Sequence, residues 1–202
     1  MKHALNSKVE LWYSSQSKRS RVHFKGFKHS GKRHHGPNKR KLSQSDAIWG
    51  AIYKTSDAGQ SWTQVYESYG DFYFNAIDCC TEDLCYAVAE GDSDAGSSNP
   101  GTRILQTQDG GQTWNIVYFN ALDGASLMAV HCVDSNNAWA AGGTIIERDF
   151  HGDFLYTSNN GGSWTDFQVN VPILYMDMSD DSSTGMASGL TKSGEGVAFG
   201  FK

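Results

Sequence analysis

Thr55-Ser56-Asp57-Ala58-Gly59-Gln60-Ser61-Trp62, Thr107-Gln108-Asp109-Gly110-Gly111-Gln112-Thr113-Trp114 and Thr157-Ser158-Asn159-Asn160-Gly161-Gly162-Ser163-Trp164 are three versions of one octapeptide. Their tryptophans stand 52 and 50 residues apart. Recurrence at a fixed period is the mark of a repeat architecture. Outward from these boxes the likeness continues. Ala76-Ile77-Asp78-Cys79-Cys80-Thr81 matches Ala129-Val130-His131-Cys132-Val133-Asp134, and Cys85-Tyr86-Ala87-Val88 matches Ala138-Trp139-Ala140-Ala141. A weaker third copy runs from Tyr175-Met176-Asp177-Met178 through Thr184 to Gly189.

Each unit reads as four short strands divided by turn residues. In the first complete copy Phe74 to Cys80 is expected as the inner strand and Cys85 to Glu90 as its hairpin partner. Arg103 to Gln106 supplies the third strand and Trp114 to Phe119 the fourth. Gly91 to Gly101 is too polar and glycine-rich for a strand and reads as an exposed loop. The box then lies between strands three and four. Gly59, Gly111 and Gly161 supply positive φ there without steric cost. Asp57 and Asp109 accept from turn N–H groups, with the hydroxyls of Thr55, Thr107 and Thr157 as further partners. Asn159 accepts without charge, which predicts a weaker third turn. Trp62, Trp114 and Trp164 are expected to plug their blades, each burying about 200 Å2 of ring.

A period near 50 with four strands is that of a β-propeller blade. The expectation is an all-β fold over residues 46–202, with two full and two partial blades. It starts inside a blade at a third strand near Ile48 to Lys54, and Gly196 to Lys202 is another third strand. Closed propellers have about 4 to 8 blades. An open arc is expected, with exposed blade edges suited to self-association.

The octapeptides resemble the Asp-box, or bacterial neuraminidase repeat, Ser/Thr-x-Asp-x-Gly-x-Thr/Ser-Trp; two copies match fully and the third departs at Asn159. The resemblance implies a propeller turn, and the motif is shared by sialidases, xyloglucanases, sortilin-like receptors and photosystem II assembly factors. Fold therefore follows from it and activity does not. The blade is most similar to that of the assembly factors, in which a small-residue inner pair precedes the box. Tyr86-Ala87-Val88-Ala89-Glu90-Gly91 and Trp139-Ala140-Ala141-Gly142-Gly143 fit that pattern. Those proteins are non-catalytic and dock onto membrane-protein intermediates through charged, often arginine-rich surfaces. The repeat region here holds only Arg103 and Arg148.

Two arginines do not make the three-arginine carboxylate clamp of a sialidase. Tyr66 and Glu67, adjacent on a strand, face opposite sides and form no activated nucleophile pair. Asp78, Asp177, Glu90 and Glu147 are the carboxylates that paired-carboxylate glycosidase chemistry would draw on. Asp78, His131 and Asp177 occupy one position of three inner strands and are the candidate face residues. Repeats align chemistry-free residues equally well, so a structural or solvent-facing role is expected for them. No catalytic residue, metal ligand or cofactor is assigned.

The 202 residues carry a net charge of −5, which hides two unlike parts. Residues 1–42 hold twelve of the 17 Lys and Arg against Glu10 alone, a balance of +11, and the rest carries −16. That distribution excludes a uniformly basic nucleic-acid binder, and nucleic acid is not an expected partner of the repeat region. No apolar run approaches the roughly 20 residues of a membrane span. Residues 1–45 show no sustained hydrophobic period and read as a disordered segment. The segment lacks the apolar core of a secretory signal and is rich in Ser and base, as transit peptides are. A solvated tail, an upstream start codon, a nuclear address and an anion-binding arm fit its composition as well. His29, His34 and His35 lack the companion ligands of a metal site.

Cys80 and Cys85 flank the predicted hairpin turn and are the candidate disulfide, while Cys79 is in reach of Cys85 or Cys132. Four cysteines allow three complete connectivities. An even count favours an oxidising compartment, secreted or in a plastid, and the missing signal peptide opposes secretion. The reading that results is a non-catalytic scaffold that binds a protein or glycan through its faces and the Gly91–Gly101 and Gly142–Gly152 loops. Its alternatives are a piece of a secreted sialidase- or xyloglucanase-like hydrolase and a chloroplast assembly factor.

Overall fold

The computed structural model describes residues 22–24, 48–146, 149–179 and 183–201. Sheet 1 contains β1 (Val22–Phe24), β2 (Trp49–Lys54) and β3 (Thr63–Tyr69). Sheet 2 contains β4 (Tyr73–Cys79), β5 (Cys85–Gly91), β6 (Gly101–Thr107) and β7 (Asn115–Asn120). Sheet 3 contains β8 (Ala125–Cys132), β9 (Ala138–Ile146), β10 (Asp149–Thr157) and β11 (Thr165–Val169). Sheet 4 contains β12 (Ile173–Met178), β13 (Gly185–Leu190) and β14 (Gly196–Phe201). Every sheet is an antiparallel meander, and the boxes join β2 to β3, β6 to β7 and β10 to β11. Two full four-stranded blades are thus flanked by two three-stranded ones.

Two expectations change. Val22–Phe24 lies inside the segment read as disordered, yet pairs with β2, Val22 opposite Lys54; the remainder of residues 1–45 lies outside the described residues. Gly142–Gly152, read as a loop, is mostly a long hairpin in which Gly142 pairs with Asp153 and Gly152 with Gly143. The glycines mislead because they serve close approach rather than turning. A Cβ on Gly142 would stand 1.9 Å from the Ser126 carbonyl oxygen of β8.

The sheets stack face to face, because the middle strands are apolar on both sides. On β5, Tyr86 and Val88 enter the core between sheets 2 and 3, and Ala87 and Ala89 enter the core between sheets 1 and 2. On β9, Ala138 and Ala140 join the first of these cores, and Ala141 joins the core between sheets 3 and 4. Ile104 and Leu105 on β6, and Leu155 and Phe154 on β10, divide in the same way. This is the period-two alternation of a strand, used to feed two cores. Complete burial of side chains such as Val88, Ile104 and Leu105 contributes about 1.5–3 kcal/mol each.

The inner strands share an irregularity. The register slips between Phe74 and Ala76, between Leu127 and Ala129, and between Ile173 and Tyr175, at the equivalent place in each. Past the bulge, Asp78 pairs with Tyr86, His131 with Trp139 and Asp177 with Met186. The repeat therefore delivers the three candidate residues in one register.

Candidate functional site

The three box turns are built alike. Thr55, Thr107 and Thr157 each accept a hydrogen bond at Oγ1 from the N–H of Gly59, Gly111 and Gly161, at 2.9, 2.8 and 3.0 Å. Each threonine hydroxyl donates to Asp57, Asp109 or Asn159. Those residues in turn accept from the backbone N–H of Ser61, Thr113 and Ser163, all at 2.9 Å. Ser61 and Thr113 hydroxyls also donate to the second carboxylate oxygen, whereas Asn159 Nδ2 donates to Ser163 Oγ. The donated bonds, led by those from Ser61 and Thr113, hold the Asp57 and Asp109 carboxyls at about 2, well below the usual range. Gly59, Gly111 and Gly161 have φ of 92°, 90° and 78°, as the turn demands.

The preceding position also has positive φ, in Ala58, Gly110 and Asn160, which the octapeptide pattern does not flag. Its carbonyl is a docking point in boxes two and three. Lys54 Nζ on sheet 1 donates to Gly110 O at 2.7 Å, and Gln106 Nε2 on sheet 2 donates to Asn160 O at 2.9 Å. Both donors directly precede a box threonine. That shared place in the repeat is the sequence signal for them.

Trp114 packs against the core between sheets 1 and 2, and Trp164 against the core between sheets 2 and 3, edge-on to Tyr86. A box tryptophan thus covers the seam with the preceding sheet instead of plugging its own blade. Trp62 belongs to sheet 1 and is 36% exposed.

Asp78 and His131 are brought together, with His131 Nδ1 3.6 Å from Asp78 Oδ2. The carboxylate serves the backbone, because Oδ1 accepts from Cys79 N at 2.9 Å and Oδ2 from Cys132 N at 2.8 Å. It therefore ties inner strand β4 to inner strand β8. Asp177 repeats the first half, its Oδ1 accepting from Met178 N at 3.0 Å. Among the described residues no hydrogen bond or ion pair joins Asp177 to the other two. Glu90 accepts from the Tyr73 hydroxyl, and burial pushes its carboxyl up. Glu147 lies outside the described residues. Tyr66 packs against the sheet 1–2 core while Glu67 accepts from Trp49 Nε1, so the two diverge.

Arg103 is wholly buried. Its guanidinium lies between the rings of Phe72 and Phe119, 4.5 and 5.0 Å from their centroids. Nη2 donates to Asn99 O and stands 3.7 Å from Asp71 Oδ1. This cation organises the base of the loop between β5 and β6.

The disulfides are Cys79–Cys85 and Cys80–Cys132, which corrects the Cys80–Cys85 pairing. Cys79 and Cys85 are opposed partners in the β4–β5 ladder with Cα atoms 4.0 Å apart. Cys80, one residue later, turns to the neighbouring sheet and bonds β8. Among the described residues no group of three or more His, Cys, Asp or Glu is placed to hold a metal ion, and no helix is long and apolar enough to cross a membrane.

The order of sheets, the box turns and the shared seams decide the architecture. It is a β-propeller fold. No family model and no curated protein matches the sequence. Among solved structures the chain is similar to YCF48 bound to D1 peptide, with 19% identity, a TM-score of 0.50, and coverage of 70% of this chain and 42% of that one. YCF48 from Cyanidioschyzon merolae matches at 13% identity and a TM-score of 0.27, over 69% of this chain and 60% of that one. The chain spans less than half of the first of these propellers, and the likeness is one of fold.

Proposed function

We propose that this chain is a non-catalytic propeller module that binds a segment of a partner polypeptide. The observation that carries the reading is the use to which the inner-strand ionisable groups are put. Asp78 is occupied by two backbone N–H groups on two sheets, and Glu90 is held by Tyr73 with its carboxyl pushed toward the neutral form. Neither is set up as a nucleophile or as a base beside an open cleft. The fold is that of a propeller, YCF48, whose structure has a D1 peptide bound; this supports a peptide over a glycan as the ligand class. Arg103 does not contribute to an arginine-based docking surface, because it is enclosed by Phe72 and Phe119, and Arg148 lies outside the described residues.

Two measurements test the reading. Titration of the full chain with the D1 peptide is expected to give saturable binding. Incubation with chromogenic glycosides is expected to give no turnover. Turnover that disappears in Asp78→Asn or Asp177→Asn would replace the binding module with a hydrolase. The resemblance of the blades to those of the assembly factors, with the Ser- and base-rich composition of residues 1–45, supports delivery to a plastid. Residues 1–45 fused to a fluorescent reporter are then expected to direct import, and a reporter left in the cytosol removes that part of the proposal.

A further inference from the structure

The side chains that β10 turns toward sheet 2 are ionisable along half of the strand. Leu155 lies in the core between sheets 2 and 3, so the period of two puts Asp153, His151 and Asp149 on the same face. The β10–β11 ladder reaches no farther than Gly152 opposite Val169, and the β8–β9 ladder no farther than Ala125 opposite Thr144. Beyond those pairs β9 and β10 continue alone, with Ile145 opposite Phe150 and Ile146 opposite Asp149. The end of this hairpin is therefore a two-stranded ribbon, a structure that is only marginally stable unaided. It presents Ile145 and Ile146, 69% and 43% exposed.

His151 stands at the root of the ribbon and bridges it to the four-stranded part of the sheet. Its Nδ1 is 2.7 Å from Asp149 Oδ1 on the ribbon, and its Nε2 is 3.2 Å from Asp153 Oδ1. Asp153 belongs to the four-stranded part, opposite Gln168, whose Nε2 donates to the same oxygen at 3.4 Å. A neutral imidazole keeps a lone pair on one ring nitrogen, which repels a carboxylate oxygen at such a distance. Only the imidazolium presents an N–H on both sides. Asp166 on β11 is a third carboxylate in the field of His151, and Tyr118 on β7 faces Asp153 and Asp166 from sheet 2. On β9 the residue opposite His151 is Thr144, uncharged and fully buried. Glu90 and Tyr73, on the same face of sheet 2, have Asp92 as their charged neighbour instead. Among the described residues no lysine or arginine is paired with Asp149, Asp153 or Asp166.

We propose that His151 is a proton-operated staple: as the imidazolium it ties Asp149 to Asp153 and stiffens the end of the β9–β10 hairpin, and loss of its proton frees that end. Histidine side chains change charge between about pH 5 and 8, so the staple closes on mild acidification and opens on the alkaline side. Without the imidazolium, Asp149, Asp153 and Asp166 are left to repel one another. The two inner carboxyls act in the same direction. Burial in the seam, and for Asp153 the Asp166 charge as well, pushes them up from 3.8, with His151 opposing. A carboxyl raised by folding contributes stability that is lost as pH rises from about 3.8 through its folded value. The box aspartates work on the other side of pH 4, because Asp57 and Asp109 are held at about 2. Ile145 and Ile146 are thus presented rigidly in mild acid and loosely above neutrality, whatever the chain binds.

Amide hydrogen exchange of the full-length protein at pH 5.5 and pH 8.0 tests the staple, with rates expressed as protection factors so that the intrinsic effect of pH is divided out. Protection at Ile145, Ile146, Phe150 and His151 is expected to fall at least tenfold between the two, while β5 keeps its protection and shows that the fold is intact. His151→Gln is expected to give the low value at both pH values, a change of less than threefold. His151→Arg keeps a cation that donates to two carboxylates at either pH, and is expected to hold the high value throughout. Asp149→Asn, at the exposed end of the staple, is expected to reduce the fall below threefold; it carries the test if His151→Gln disturbs β5. His131→Gln, at a histidine that faces Asp78 instead, is expected to leave the tenfold fall in place. Equal protection of the native hairpin end at both pH values overturns the proposal. So does a fall of threefold or more that survives in both His151→Gln and Asp149→Asn, or one that β5 shares.

Discussion

Asp57 and Asp109 show how much of a blade depends on one exposed carboxylate. Each gathers a threonine hydroxyl, a backbone N–H and a second hydroxyl around a turn with two successive positive-φ residues. Because their folded-state values are depressed to about 2 from 3.8, they stabilise the fold at pH above about 4. That stabilisation is lost as pH falls from about 4 through about 2. Asp109→Asn is therefore expected to lower the melting temperature at pH 6 and to change it little at pH 2. Asn159→Asp, which completes the third box, is expected to raise it at pH 6 only. Equal effects at both pH values would show that the charge is immaterial and that the hydrogen bonds alone matter. Arg103 illustrates a different solution, with two aromatic faces taking the place of acceptors for Nε and Nη1. A desolvated cation–π contact contributes about 2 kcal/mol. With the packing of the stem added, Arg103→Ala is expected to cost about 3 kcal/mol in urea unfolding. Arg103→Lys is expected to recover less than half, since an ammonium does not lie flat between two rings.

At the scale of elements, the two disulfides have unequal reach. Cys79–Cys85 closes six residues within a hairpin, and Cys80–Cys132 closes 52 and joins sheet 2 to sheet 3. Loop-closure entropy assigns about 2 kcal/mol to the first and about 4 kcal/mol to the second. Unfolding of Cys79→Ala/Cys85→Ala and of Cys80→Ser/Cys132→Ser, each removing one complete pair, checks the order; a larger loss from the short loop contradicts it. Strands and box turns are legible in the sequence because their chemistry is local: glycine for positive φ, a carboxylate two residues after threonine, and alternation along each strand. Contacts across the seams are not legible in the same way. Lys54 and Gln106 read as ordinary strand-end polar residues until each is seen to reach a carbonyl in the next box. Cys79 and Cys80 point to opposite partners, a distinction that depends on where β4 ends. The box tryptophans are recognisable as aromatic anchors, but nothing within eight residues says which neighbour they cover. The repeat aligns Asp78 with His131, and only the position of β8 shows the carboxylate to be a tie between strands.

Across the whole molecule, the three cores lie in series. Sheets 1 and 2 share one, sheets 2 and 3 a second, and sheets 3 and 4 a third. Sheets 2 and 3 are packed on both faces and linked by Cys80–Cys132, Asp78 to Cys132 N, and Asn75 Nδ2 to Leu127 O. Such a chain of nearest-neighbour contacts approximates a one-dimensional array, in which end members open before middle ones. Native-state hydrogen exchange is therefore expected to be slowest at the amides of β5, β6 and β9. Exchange is expected to be faster throughout β13 and β14, even though their backbone ladder is intact. Denaturant titration is expected to show an early step in sheet 4, followed by the main transition. Trp114, Trp139 and Trp164 sit at the three seams and report the positions of these events by fluorescence. One coincident transition in the free protein, with uniform protection from β4 to β14, contradicts the serial description: the seams then transmit enough free energy to make four sheets unfold as one.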